Sequence, residues 1–284
     1  MRVAVFERSF HSFVNFVDRS LPAAVKRQIK KATPGLVDGF YRQITRFTPD
    51  RAVEVRIQGG RLGGRRFVCS LRHQRSCYLG NFEPQKEAVL ANYLAPGQVF
   101  YDVGGHIGYF SLIAATLVQP GGTVVAFEPA PGNALQFRQN LELNPDLASI
   151  VRLEQTAVAD QAGVAAFDRG SNSYVGHLAP APQSTSVDVR TMTLDGFATA
   201  HAVWPDFVKI DAEGAESLIF RGMAQVFARS RPIVLVEIHD ACSYDDFLAT
   251  LERHSYMSRR LDGDERFSTH PDFVAEAEYL AVPR

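Results

Sequence analysis

Beyond residue 98 the chain alternates short apolar runs with glycine-bearing turns and helical stretches, a pattern that predicts a parallel sheet with helices on both faces. Val99-Phe100-Tyr101 reads as the first strand, Thr123–Phe127 as the second and Ile150–Gln155 as the third. Phe207–Ile210 and the strongly apolar Ile233–Ile238 supply two more. Helices are expected over 109–117 and 132–143, and another opens at Asp211-Ala-Glu-Gly-Ala-Glu216. Val164–Phe167 and Val187–Thr191 read as further strands, and Tyr256–Arg260 and Glu278–Val282 as edge strands closing the sheet. Upstream, residues 52–70 suggest a hairpin around Gly59-Gly60, and 83–94 a helix stopped by Pro96-Gly97.

Residues 1–50 stand apart as a helical extension, followed by one domain over 51–284 with the hairpin at 51–77 and the core at 78–284. Phe6, Phe10, Phe13 and Val17 recur at helical spacing, and Lys26, Arg27, Lys30 and Lys31 form a basic run before Pro34-Gly35. Such a helix can dock on the domain, on a second copy of the chain, or on an anionic membrane surface.

Composition narrows the class. The chain has 284 residues with 46% hydrophobic and 21% charged positions, ordinary for a globular protein with a sizeable core. A formal net charge of −1 argues against a dedicated nucleic-acid binder. Cys69, Cys77 and Cys242 have no metal-ligand spacing and read as free thiols. No stretch is apolar for the ~20 residues a bilayer span needs, and Glu7, Arg8, His11 and Asn15 interrupt the N-terminus, so a cytoplasmic protein is expected.

The candidate chemistry lies at the strand tips. Asp102-Val-Gly-Gly-His-Ile-Gly108 follows the first strand, where open α/β sheets bind ligands beyond the carboxyl ends of their strands. Glycines there permit close backbone approach, and the helix start offers free N–H donors. Glu128-Pro129 ends the second strand, 20 residues beyond Gly108, where an acid accepts both hydroxyls of a ribose. These features suit an adenosyl cofactor. The spacing of Gly104 and Gly108 departs from the G-x-G-x-x-G that cradles a pyrophosphate, and an acid, Asp102, precedes the glycines. A carboxylate repels pyrophosphate and attracts a ligand with an ammonium and a sulfonium, which favours S-adenosylmethionine over NAD. A NAD-linked oxidoreductase and a non-catalytic adenosyl-binding domain are the alternatives.

Three motifs carry a family resemblance: Y-D-V-G-G-H-I-G, then F-E-P-A-P-G-N with N-L-E-L-N, and V-K-I-D-A-E-G-A-E before R-P-I-V-L-V-E-I. Over about residues 78–284 the chain resembles the FkbM family of methyltransferases. The resemblance implies a Rossmann-like, class I, seven-stranded, mostly parallel sheet with its last strand antiparallel. It also implies O-methylation of a hydroxyl on a sugar or natural product. His106 stands where the family often has Asn, a tolerable change in a loop that contributes mainly backbone. By the same resemblance Glu83, Thr156 and Ala157 line the cofactor, and Asp160 is a candidate for the adenine amino group; Glu83 and Asp160 read equally well as surface acids.

Methyl transfer to a hydroxyl needs alignment and a base. Asp211 and Glu213 end the fourth strand, and Glu237 and His239 the fifth. His239 is the first choice as base because its ordinary pKa lies near operating pH. Asp211 is second and can instead hold the methionine ammonium, while Glu216 reads as a helix-dipole partner. Asp211, Glu237 and His239 are acceptable ligands for a divalent ion, but no H-x-x-H or paired-Asp motif accompanies them, and no metal is assigned. Ser171, Asn172, Ser173, Tyr174 and His177, in the 170–186 loop, are candidates for contact with a small-molecule or glycan acceptor.

Overall fold

The computed structural model describes residues 52–168, 177–178, 186–263 and 266–284, and only the backbone of 177–178. The N-terminal extension and Ser171, Asn172, Ser173 and Tyr174 lie outside the described residues. Ala52–Cys69 and Gln74–Arg284 form the unit described below.

Strands β1 (Ala52–Arg56) and β2 (Arg66–Ser70) pair as the expected hairpin. Helices α1 (Arg75–Leu79) and α2 (Pro84–Tyr93) follow, with Pro84 at the first position of α2, where its missing N–H costs no helix bond. The first winding runs through β3 (Val99–Val103), α3 (Tyr109–Val118), β4 (Thr123–Phe127), α4 (Pro131–Glu142), the short α5 (Pro145–Ala148) and β5 (Val151–Glu154).

Next come β6 (Ala157–Val158), β7 (Gly163–Asp168), β8 (His177–Leu178) and β9 (Ser186–Met192), a separate four-stranded sheet in the order β6-β9-β7-β8. The second winding holds α6 (Leu194–His201), β10 (Phe207–Ile210), α7 (Glu216–Arg221), α8 (Ala224–Arg229) and β11 (Ile233–Ile238). It closes with α9 (Ala241–His254), β12 (Tyr256–Arg260) and β13 (Ala277–Pro283). Local chemistry starts the helices: Gly196 N donates to the Thr193 hydroxyl at α6, and Ser243 N donates to Asp240 at α9.

The main sheet has the order β12-β13-β11-β10-β3-β4-β5, with β11, β10, β3, β4 and β5 parallel and β13 antiparallel to both its neighbours. This is the seven-stranded α/β arrangement that the resemblance implies. Every residue of β10 is buried, as expected of a strand covered on both faces. The expected strands at 164–167 and 187–191 form, and they pair with each other in the smaller sheet. One expectation is corrected. Of the two closing strands only β12 is at the edge; β13, with Tyr279, Leu280 and Ala281 all buried, is inserted between β11 and β12.

Register positions the chemistry. Val103 pairs with Phe127 and Ile210, and Ile210 pairs with Val236. Gly104, Glu128, Asp211 and Glu237 therefore leave neighbouring strands at the same height.

Candidate active site

A cleft of about 1110 Å³ of atom-free space, part of it open to solvent, opens over these tips. The β3–α3 turn forms its floor. Gly104 has φ 77°, and a Cβ on it would meet the Asp211 carbonyl oxygen at 1.8 Å. Gly108 has φ 88°, and a Cβ there would strike the Phe137 ring at 2.3 Å. These glycines thus let the turn pack against β10 and α4. Gly104 also lines the cleft; Gly108 does not.

Glu128, at the tip of β4, is 4% exposed and lines the cleft. His106 N donates to its Oε2 and Ala130 N to its Oε1, both at 2.8 Å. Asn133 Nδ2 also donates to Oε1, at 3.4 Å, and Oε2 keeps a further lone pair for a hydroxyl donor. Burial raises its pKa to about 7 against these hydrogen bonds. His106 contributes its backbone, as expected, at φ 48°; burial holds its imidazole at about 4.

Asp102 is fully buried. Ser111 Oγ donates to its Oδ2 at 2.6 Å, and Lys209 Nζ lies 3.2 Å from Oδ1. Its charge is thus balanced by Lys209, as a buried carboxylate requires, and Asp102 lines the cleft. Glu83, Asp211, Glu213 and Glu237 add to the negative face and line it too.

These acids gather around Lys86, whose side chain is 2% exposed. Its Nζ lies 2.9 Å from Glu83, 3.1 Å from Asp211, 2.8 Å from Glu237 and 3.1 Å from Glu278. Glu237 and Glu278 stand directly opposite each other on β11 and β13, a like-charge pair that destabilises a sheet without an intervening cation. Burial works against the Lys86 charge, but Asp211, Glu83, Glu237 and Glu278 overcome it and raise the pKa. Asp211 is correspondingly held below the ordinary range, because Lys86 and Lys209 outweigh its burial. Burial raises Glu83 and Glu213.

His239 sits at the end of β11 with Nδ1 3.0 Å from the fully buried Glu216 and Nε2 3.5 Å from Glu213 and 3.8 Å from Glu237. Burial alone would lower its pKa, but the bond to Glu216 and the charges of Glu216, Glu213 and Asp211 raise it to about 9. It touches the acid cluster without lining the cleft.

Of the other expected residues, Pro129, Thr156 and Ala157 line the cleft, with Thr156 Oγ1 donating to Arg190 O at 2.9 Å. Asp160 lies outside it, 3.5 Å from Arg221. The side chain of His177 is not described. Lys86 and Lys209 escape the sequence reading, although a lysine inside the apolar run Phe207–Ile210 next to Asp211 was a usable signal. Glu83, His106 and Glu213 also share left-handed backbone (φ 42°, 48° and 51°), strain that sites can hold and no residue pattern announces.

Comparison with known proteins gives this geometry a family. Residues 102–262 match the Methyltransferase FkbM domain. The chain is 30% identical over 197 residues to 31-O-demethyl-FK506 methyltransferase FkbM of Streptomyces tacrolimicus, covering 57% of this chain and 74% of that one. It is 26% identical over 172 residues to hexuronic acid methyltransferase AglP of Haloferax volcanii, covering 60% and 68%. The crystal structure of methyltransferase FkbM from Methylobacillus flagellatus KT aligns with a TM-score of 0.49 at 15% identity, over 65% of this chain and 43% of that chain. Among the described residues no helix is long and apolar enough to cross a membrane. The chain belongs to the FkbM family of S-adenosylmethionine-dependent methyltransferases.

Proposed function

We propose that this protein transfers a methyl group to a hydroxyl of a sugar or natural-product acceptor. The observation that carries this reading is the cleft itself. A carboxylate prepared for a ribose at the β4 tip is followed, along the same row of tips, by carboxylates suited to a cationic group and a proton. The two curated relatives, one named for an FK506 precursor and one for a hexuronic acid, support an oxygen acceptor.

The residues present fit the cofactor. Glu128, steadied by the His106 and Ala130 amides, would take the ribose hydroxyls. The Gly104–His106 turn over Asp102, together with Pro129, Thr156 and Ala157, would enclose the adenosyl group. Asp211 and Glu83 would hold the ammonium end. When bound, S-adenosylmethionine supplies a methyl group on a positively charged sulfur. Glu213 accepts the acceptor's hydroxyl proton, since burial lifts its carboxyl toward operating pH and it lines the cleft. His239, the first choice from sequence, does not line the cleft and instead holds Glu213 in place, its Nε2 3.5 Å away. Asp160 remains a candidate for the adenine edge only if the residues around Arg221 rearrange.

The test is a screen of sugars, uronic acids and hydroxylated natural products for S-adenosylhomocysteine formation. Product methylated on oxygen supports the proposal, and turnover confined to amine acceptors overturns it.

A further inference from the structure

We infer that Asp211, Glu237 and His239 form a binding site for a divalent cation of the Mn²⁺ or Mg²⁺ class, placed to hold the acceptor's oxygen. The inference rests on the cofactor reading only for that last clause; the site itself stands on the chain's own geometry. One ligand atom from each of the three residues lies within 4.8 Å of the other two. The parallel register that sets Ile210 beside Val236 brings Asp211 and Glu237 out side by side, and His239 follows two residues later on the same strand.

Lys86 does not fill this position. Its contacts engage Asp211 Oδ2 and Glu237 Oε2, whereas Glu237 Oε1 is the oxygen turned to His239 Nε2, 3.8 Å away. The ammonium therefore engages one oxygen of each carboxylate and leaves Glu237 Oε1 beside His239. The imidazole is oriented as well. Its Nδ1 is tied to Glu216 Oε1, so Nε2 points at the acids, the carboxylate–imidazole support that metal-binding histidines use.

A second observation comes from charge. Glu216 is 0% exposed, and its Oε2 has no hydrogen-bond partner among the described residues. With Glu83, Asp211, Glu213, Glu237 and Glu278 nearby, carboxylates outnumber the ammonium groups of Lys86 and Lys209. That excess of negative charge attracts a divalent cation to the cluster. Two carboxylate oxygens with one imidazole nitrogen suit Mn²⁺ over softer ions. An acceptor oxygen on that ion becomes a weaker base for its proton, which Glu213 then receives.

Titration of the purified full chain with MnCl2, followed by the loss of the free-ion paramagnetic resonance signal, tests the site. The wild type should take up one Mn²⁺ per chain saturably. His239→Ala and Glu216→Gln should each weaken uptake by ~10-fold or more while S-adenosylhomocysteine binding, measured in parallel, is retained. Should His239→Ala also lose the nucleoside, the milder Glu216→Gln decides. Absence of saturable Mn²⁺ uptake by the wild type, or uptake unchanged in Glu216→Gln, overturns the inference. Failure to bind S-adenosylhomocysteine would instead overturn the cofactor assignment and leave the Mn²⁺ result readable.

Discussion

At Glu128, burial and hydrogen bonding pull in opposite directions, and burial wins by lifting the carboxyl to about pH 7. The raised value means the free protein binds a proton there as pH falls through 7, and a protonated carboxyl accepts ribose hydroxyls poorly. The dissociation constant for S-adenosylhomocysteine should therefore rise below pH 7, by up to ~10-fold per unit, and be flat above pH 8. Calorimetry across that range checks it, with Glu128→Gln expected to abolish the slope. Glu128→Ala should cost about 1.5–3 kcal/mol of binding. Lys86 is the other decisive residue. Lys86→Met leaves Asp211, Glu237 and Glu278 without their shared cation, and should destabilise the fold by about 3 kcal/mol in denaturant unfolding. That is the low end for a broken buried pair, because the carboxylates keep 21–24% of their side-chain surface in solvent.

Between elements, much of the site's shape comes from contacts that only close packing produces. Gly108 lets α3 and α4 meet, with Phe137 occupying the space a side chain would need. Gly108→Ala adds overpacking to an unfavourable left-handed conformation, so a loss of about 2–4 kcal/mol is expected, read as a fall in Tm. Shrinking the opposing ring in a Gly108→Ala/Phe137→Leu double variant should recover part of it. The hairpin is tied to the turn through Asn140 on α4: Val68 N donates to its Oδ1 at 2.6 Å, and its Nδ2 donates to Ile107 O at 2.9 Å. Asn140→Ala strands these buried groups and should cost about 1–3 kcal/mol. Amide hydrogen exchange should then rise at both Val68 and the turn, and a rise at only one of them would disprove the link.

For the molecule as a whole, the placement of charge predicts selectivity. The acids lining the cleft oppose a pyrophosphate, and the lysines among them are already paired. NAD should give no measurable heat under conditions where S-adenosylmethionine binds, and comparable NAD binding would show that the cleft's charge has been misjudged.

The alternation of apolar runs, the Gly-rich turn and the acids at strand ends were enough to establish the α/β class and the residues at each strand tip. Both depend on local pattern and on the height at which a parallel strand stops. What local pattern lacks is knowledge of partners across the sheet. Only the tertiary structure paired Glu237 with Glu278 and brought Lys86 from 125 residues away onto Asp211. It also spent the charge of Asp102 on Lys209 and set His239 against Glu216. Electrostatic energy depends on distance in space, and a buried charge takes its character from whichever opposite charge the fold brings within a few ångströms.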